Sequence, residues 1–316
     1  DDTGWDGTKV TKPVQSEDGT YQIGTAAELA WFAGLVNGKL SDGIKQDLTA
    51  NAVLTADIDL NNKNWTPIGP ASTWGASKAY QGSFDGNGKT ISHLHINNSA
   101  QFSGLFGGIN GEIKNISITQ SDVTAKTGAI LVGISFNNGI IQNCSVTNST
   151  LTLTATNYVN SAALCAINKG LILNCYGYNN KIFCNFPPLN GNSTAFGNVG
   201  GLVGQTNLGI IQNCYVAKTA IQNSGEGKTA WGMLSGNNPK AGSENCYYEK
   251  NADDQNQYDS PFGEEKTLGW LKTSEALTML GSAFELDENK NDGYPSLKIA
   301  VAIDKSKLED AISKAK

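Results

Sequence analysis

The sequence predicts an all-β fold, a parallel β-helix (solenoid) with an N-terminal capping helix and a short, partly helical, irregular C-terminal cap. The first observation is a repeat. Gly201-Leu-Val-Gly204 leads to Gly209-Ile-Ile-Gln-Asn213-Cys214-Tyr-Val216, and related copies recur upstream. Gly104-Leu-Phe-Gly107 leads to Asn115-Ile116, Leu131-Val-Gly133 to Asn143-Cys144, and Ala163-Leu-Cys-Ala166 to Asn174-Cys175. A worn copy, Trp231 to Gly236, ends at Asn245-Cys246. Each copy offers two short apolar strands that cannot bury a face alone, but stacked copies share a continuous core.

The second observation is spacing. The repeat Asn falls at 115, 143, 174, 213 and 245, giving intervals of 28, 31, 39 and 32. A rung of fixed shape with loops of variable length produces such a series. Ile91-Ser-His-Leu94-His-Ile96 fits the same template with His93 in the Asn slot, 22 residues before Asn115. At about 3.3 Å per residue, that length makes three short strands and three turns. The third observation is composition: 36 glycines and only 16% charged residues describe a turn-rich β protein.

These motifs, with Trp65-Thr-Pro-Ile-Gly69 and Phe84-Asp-Gly-Asn-Gly-Lys-Thr-Ile91, resemble the GLUG-motif surface proteins of bacteria over residues 19–298. The resemblance implies a right-handed β-helix on an exported, often adhesin-like protein. It brings no shared catalytic residues.

The chain divides into residues 1–299, the capped repeat domain with rungs at about 84–248, and residues 300–316, a linker and the start of a helical module. Thr25-Ala-Ala-Glu28 is a capping box, and Leu29, Phe32, Ala33 and Val36 lie at helical spacing through about Asn37. This helix is the expected N-terminal lid. Ala52 to Leu60 alternates as a strand, and 61–83 is a loop carrying Trp65, Trp74 and Tyr80. Thr150–Asn160 and Asn179–Asn198 read as insertions into the coil. Thr273 or Ser274 caps a short helix at Glu275–Leu280, and Tyr294 to Ile299 ends in a strand, so 261–299 is expected to close the C-terminal end. Asp304 to Lys316 carries the apolar stripe Leu308, Ala311, Ile312 and Ala315. It resembles the opening of a FIVAR-like helical module, which implies a longer multidomain protein.

Arginine is absent, net charge is −6 and pI is near 5.0; a nucleic-acid partner needs a basic face. No run of 18 apolar residues exists, so direct membrane insertion is not expected. The opening Asp1-Asp2 is what a processed exported protein would show. Cys144, Cys175, Cys214 and Cys246 each follow the repeat Asn, in the slot of Ile116 and Leu94, and read as buried free thiols. Cys165 reads the same way; Cys184, in an insertion, is left open. No Cys/His spacing suggests zinc, and no cofactor or metal is expected.

A glycosidase needs two carboxylates about 5–9.5 Å apart. Asp57 and Asp59 alternate with Ile58 and Leu60, and Asp85 could join them from the next coil. Asp-Gly-Asn-Gly is equally turn chemistry, and a lyase of the pectate type would want an arginine. His93 and His95 point away from the Leu94/Ile96 face and form no triad. Asp287-Glu-Asn-Lys-Asn-Asp-Gly293 departs from a calcium loop by a late Gly and a missing Glu, and reads as a turn. Trp65 belongs to the repeat motif and is expected to be structural. Trp74 and Tyr80 are the expected ligand contacts, since sugars stack on flat rings. The expected function is non-catalytic adhesion or binding, with a glycan or a host or microbial surface ligand as partner. A polysaccharide-degrading enzyme and a structural spacer are the alternatives.

Overall fold

The computed structural model describes residues 4–41, 43–69, 75–97, 101–154, 158–186, 196–225, 230–251, 262–299, 309–310 and 313. Strands Tyr21–Ile23, Ala52–Leu54, Ser83–Ser92, Glu112–Thr119, Ile140–Gln142, Leu171–Leu173 and Ile210–Ala217 pair in parallel succession. The antiparallel strand Val14–Gln15 makes this sheet mixed. The Leu-Val-Gly segments form a second parallel sheet of Phe106–Ile109, Val132–Ser135, Cys165–Asn168 and Val203–Gln205. Two more stacks, from His95–Asn97 to Ala220–Asn223 and from Gly128–Ala129 to Ala230–Gly232, complete a β-helix-like arrangement.

Equivalent side chains stack in register. Ile113, Ile141, Ile172 and Ile211 form one fully buried row, and Val123, Leu151, Ile182 and Ile221 another. Each such side chain contributes about 2 kcal/mol of burial, which its own coil alone could not supply. Between the strands the chain turns at asparagines in the left-handed region, φ 55° at Asn115, 52° at Asn143, 53° at Asn174, 52° at Asn213 and 54° at Asn245. Asparagine tolerates this conformation and bonds along the stack. Each side-chain amide donates to the previous carbonyl oxygen, at 3.0 Å, 3.0 Å, 3.2 Å and 3.1 Å in turn.

His93 is not in that slot. Lys114 pairs with Asp85 and Ile116 with Lys89, so the bulged Gly86–Gly88 stands where Asn115 stands one coil later. Ile91 pairs with Ile118, which makes this coil 27 residues rather than 22. His93 (φ 53°) holds the next turn, at the level of Gln120, and Leu94 packs into the core beyond it. Asp85 heads the ladder by accepting from Asn115 Nδ2 at 3.0 Å. The two expected insertions narrow, because strands occupy much of both segments. Thr150–Leu153, Tyr158–Ala162, Lys181–Cys184 and Phe196–Gly200 are strands paired in register with their neighbours. The pairings Ala125↔Leu153 and Gly128↔Ser161 leave five more residues in the later coil, and Leu151↔Ile182 with Val159↔Gly197 leave seven more. These stretches include 155–157 and 187–195, which lie outside the described residues.

Helix α1 (Ala26–Asn37) carries the expected capping box and ends at Gly38, whose φ of 64° suits a residue without Cβ. Phe32 packs edge-on to Tyr80 and Phe84, centroids 6.0 Å and 5.8 Å away, joining the helix to the core. The C-terminal segment does not simply close the far end. Its strand Glu264–Glu265 extends the first sheet. Beyond it, helix α2 (Ser274–Leu280) and Phe284 cover the outward tyrosines Tyr176, Tyr215 and Tyr247. The chain thus runs back along the flank: Tyr215 Oη donates to Pro295 O, and Ile299 lies against Gly88. The stripe Leu308, Ala311, Ile312 and Ala315 lies outside the described residues.

Candidate functional site

The N-terminal segment builds a cleft at the lid. Asp6 Oδ1 accepts from the backbone N–H groups of Thr8 and Lys9, both at 2.8 Å, tying a turn that Gly7 completes at φ 89°. This turn lets Trp5 Nε1 donate to Lys9 O at 2.9 Å. Asn61 Nδ2 donates to Trp5 O at 2.9 Å, hanging the segment on the second coil. The indole stands edge-on to buried Trp65, centroids 5.9 Å apart and planes at 62°.

Trp5 becomes the wall between two hollows. One, of about 930 Å³, is lined by Trp5, Asp6, Lys9, Glu28, Asp57 and Asp59 among others. The second, about 350 Å³, is lined by Trp5, Val10, Asn37, Leu40, Trp65 and Thr66 among others. Both sizes fall in the range of ligand sites.

The four carboxylates of the larger hollow are each fixed through one oxygen. Besides Asp6, Asp57 Oδ1 accepts from Thr90 N at 2.8 Å, and Asp59 Oδ1 from Asn61 N at 2.7 Å. Glu28 Oε2 accepts from Gly24 N at 2.7 Å within the helix cap. Asp59 also meets His93 Nδ1 at 2.9 Å. Partial burial alone would raise the Asp59 carboxyl. The Asn61 N–H and the His93 ring outweigh it and hold the group below the ordinary carboxylate value. Asp6 is likewise held low, first by Lys9 N–H and then by Thr8 N–H. The hollow presents four carboxylates anchored by backbone N–H groups beside an aromatic wall.

Of the two expected ligand contacts, Tyr80 falls among the described residues and Trp74 lies outside them. Tyr80 is fully buried: its hydroxyl donates to Ala50 O at 2.7 Å and its ring lies 5.9 Å from Phe106. Its loop runs on the surface, but the side chain turns inward beneath α1, so Tyr80 has no face for a ligand. Trp65 is buried with Nε1 donating to Leu105 O at 3.2 Å, a structural residue as expected. Asp57 and Asp59 do share one hollow, whereas Asp85 is engaged by Asn87 N and the Asn ladder. Trp5 was not among the expected site residues. The signal was Trp5-Asp-Gly itself, an aromatic beside a turn.

The other candidates resolve into structure. Asp287 accepts from Asn289 N at 2.9 Å, and Asp292 pairs with Lys218 at 2.8 Å while accepting from Tyr178 Oη. All six cysteines are free and buried. Cys246 pairs with Cys214 across the ladder, and Cys175 N donates to Cys214 Sγ at 3.4 Å. Burial raises the thiols of Cys144, Cys175 and Cys214 well above the usual range, and pushes Cys165 and Cys184 to about 12. Cys184 ends a paired strand rather than sitting in an insertion. No group of three or more His, Cys, Asp or Glu side chains that could hold a metal occurs among the described residues.

No protein-family model matches the chain. It is 34% identical over 136 residues, 42% of its length, to a protein of Evansella cellulosilytica described as a "Putative Gly-rich membrane protein". It is 30% identical over 152 residues, 46% of its length, to halomucin of Haloquadratum walsbyi. The chain spans 15% of the first relative's length and 2% of the second's. Among solved structures it is similar to a "putative immunoglobulin A1 protease" from Bacteroides ovatus. The TM-score is 0.55 at 15% identity, over 92% of this chain and 96% of that one. At that identity the likeness is one of fold.

Proposed function

We propose that the chain is a non-catalytic binding module of a cell-envelope protein, built as a right-handed parallel β-helix of GLUG-type repeats, with the Trp5 hollow as its ligand site. The observation that carries this reading is the hollow's geometry, an indole wall beside four carboxylates each held by a backbone N–H. A glycosidase needs one carboxyl held protonated as general acid. Asp6 and Asp59 are instead held ionised by backbone donors, which suits them to accept hydrogen bonds from a ligand. The surface location is supported by relatives described as a membrane protein and a halomucin. The Bacteroides neighbour's description offers a peptidase reading, but its support is fold alone.

The test is incubation with a panel of plant, mucin and bacterial polysaccharides. Depletion of the protein and new reducing or unsaturated ends are read from the same tubes. Depletion without new ends is expected. New ends that vanish in Asp57→Asn or Asp59→Asn would overturn the non-catalytic reading in favour of a polysaccharide-degrading enzyme.

A further inference from the structure

We infer that the Trp5 hollow selects amine-bearing saccharides, oligomers of an unacetylated amino sugar, over their neutral and acidic counterparts. The inference rests on the binding-module reading and names its ligand class. The hollow's size, about 930 Å³, accommodates several sugar rings rather than a small ion. Its wall is an indole whose one N–H is already donated to Lys9 O, so Trp5 offers a ligand only its ring. An indole ring attracts apolar sugar faces and, more strongly than other aromatic rings, a nearby cation.

Charge then separates the ligand classes. From the N-terminal segment come Asp6 and Lys9, from α1 Glu28, and from the second coil Asp57 and Asp59. Four carboxylates stand against one lysine. His93, on the third coil, meets Asp59. A uronate or sialoside brought here meets like charge, whereas an ammonium finds fixed acceptors that need no reorganisation. A basic peptide shares the charge but lacks the ring hydroxyls that Asn61, Thr11 and Thr25, lining the same hollow, can meet.

Affinity for glucosamine hexasaccharide and N-acetylglucosamine hexasaccharide, the same sugar with and without its ammonium groups, tests this by calorimetry. Hexalysine and a galacturonate hexasaccharide serve as further arms. The glucosamine oligomer is expected to bind at least about tenfold more tightly than the acetylated one, since charged hydrogen bonds exceed neutral ones by roughly that factor. The difference should shrink in high salt. Asp57→Asn and Asp59→Asn keep the Oδ1 acceptor that Thr90 N and Asn61 N require, so their melting temperatures report an intact fold while the preference drops about tenfold. Trp5→Ala should weaken both sugars and Trp5→Phe restore part of the loss. Equal affinity for the two hexasaccharides, or a preference untouched by the Asn variants, overturns the inference even if the protein still depletes on polysaccharides. Tighter binding of hexalysine assigns the hollow to basic peptides and overturns it as well. No depletion on any polysaccharide and no heat with either hexasaccharide defeats both the inference and the binding reading.

Discussion

Asn174 shows how one side chain serves two coils. It takes φ 53°, donates to Asn143 and accepts from Asn213. Asn174→Ala removes both bonds and places an ordinary residue in the left-handed region, for a loss of about 3 kcal/mol. Asn174→Gly removes the bonds but relieves the backbone, and should lose about 1 kcal/mol less. Urea midpoints of the two variants check this; equal losses would mean that the turn carries no backbone strain. The ladder was legible because an asparagine repeated before an apolar pair has few other roles. His93 was misplaced for a local reason: the bulge at Gly86–Gly88 adds residues that no spacing rule reveals, so the template slid by one turn. Tyr80 was misread because a surface loop says nothing about which way a side chain turns.

At the scale of elements, α1 was legible, since the capping box marked its start and the apolar stripe carried it to about Asn37, where Gly38 ends it. The C-terminal segment was only partly so. Its docking depends on outward tyrosines and on Glu249, whose roles no local pattern states. Glu249 is fully buried and accepts from Leu271 N at 2.7 Å, Gly269 N at 3.1 Å and Tyr294 Oη at 2.8 Å. Glu249→Gln replaces one acceptor oxygen with a donor and leaves a buried N–H or O–H unmet, at about 2–3 kcal/mol. Hydrogen exchange should then quicken by at least about thirtyfold across 262–299 while amides near Ile141 keep their protection. Uniform loss of protection would show that the flank segment and the coils unfold as one unit.

The whole molecule places the proposed ligand hollow at the lid, where residues 5, 28, 57 and 59 converge. None of these is near another in a shared sequence motif except Asp57 and Asp59, which is why the pair was legible and the site was not. The contacts that gather them are long-range: Asn61 to the Trp5 carbonyl, and Trp5 against Trp65. Asparagines of successive coils are committed to the ladder, and the proposed recognition site lies at the capped end. The flank segment brings Ile299 back to Gly88, on the third coil. The most direct measurement is the indole N–H resonance of each tryptophan during titration with glucosamine hexasaccharide. The account predicts that the Trp5 signal shifts saturably while those of the remote Trp231 and Trp270 stay fixed. A saturating interaction that leaves Trp5 unmoved would contradict it.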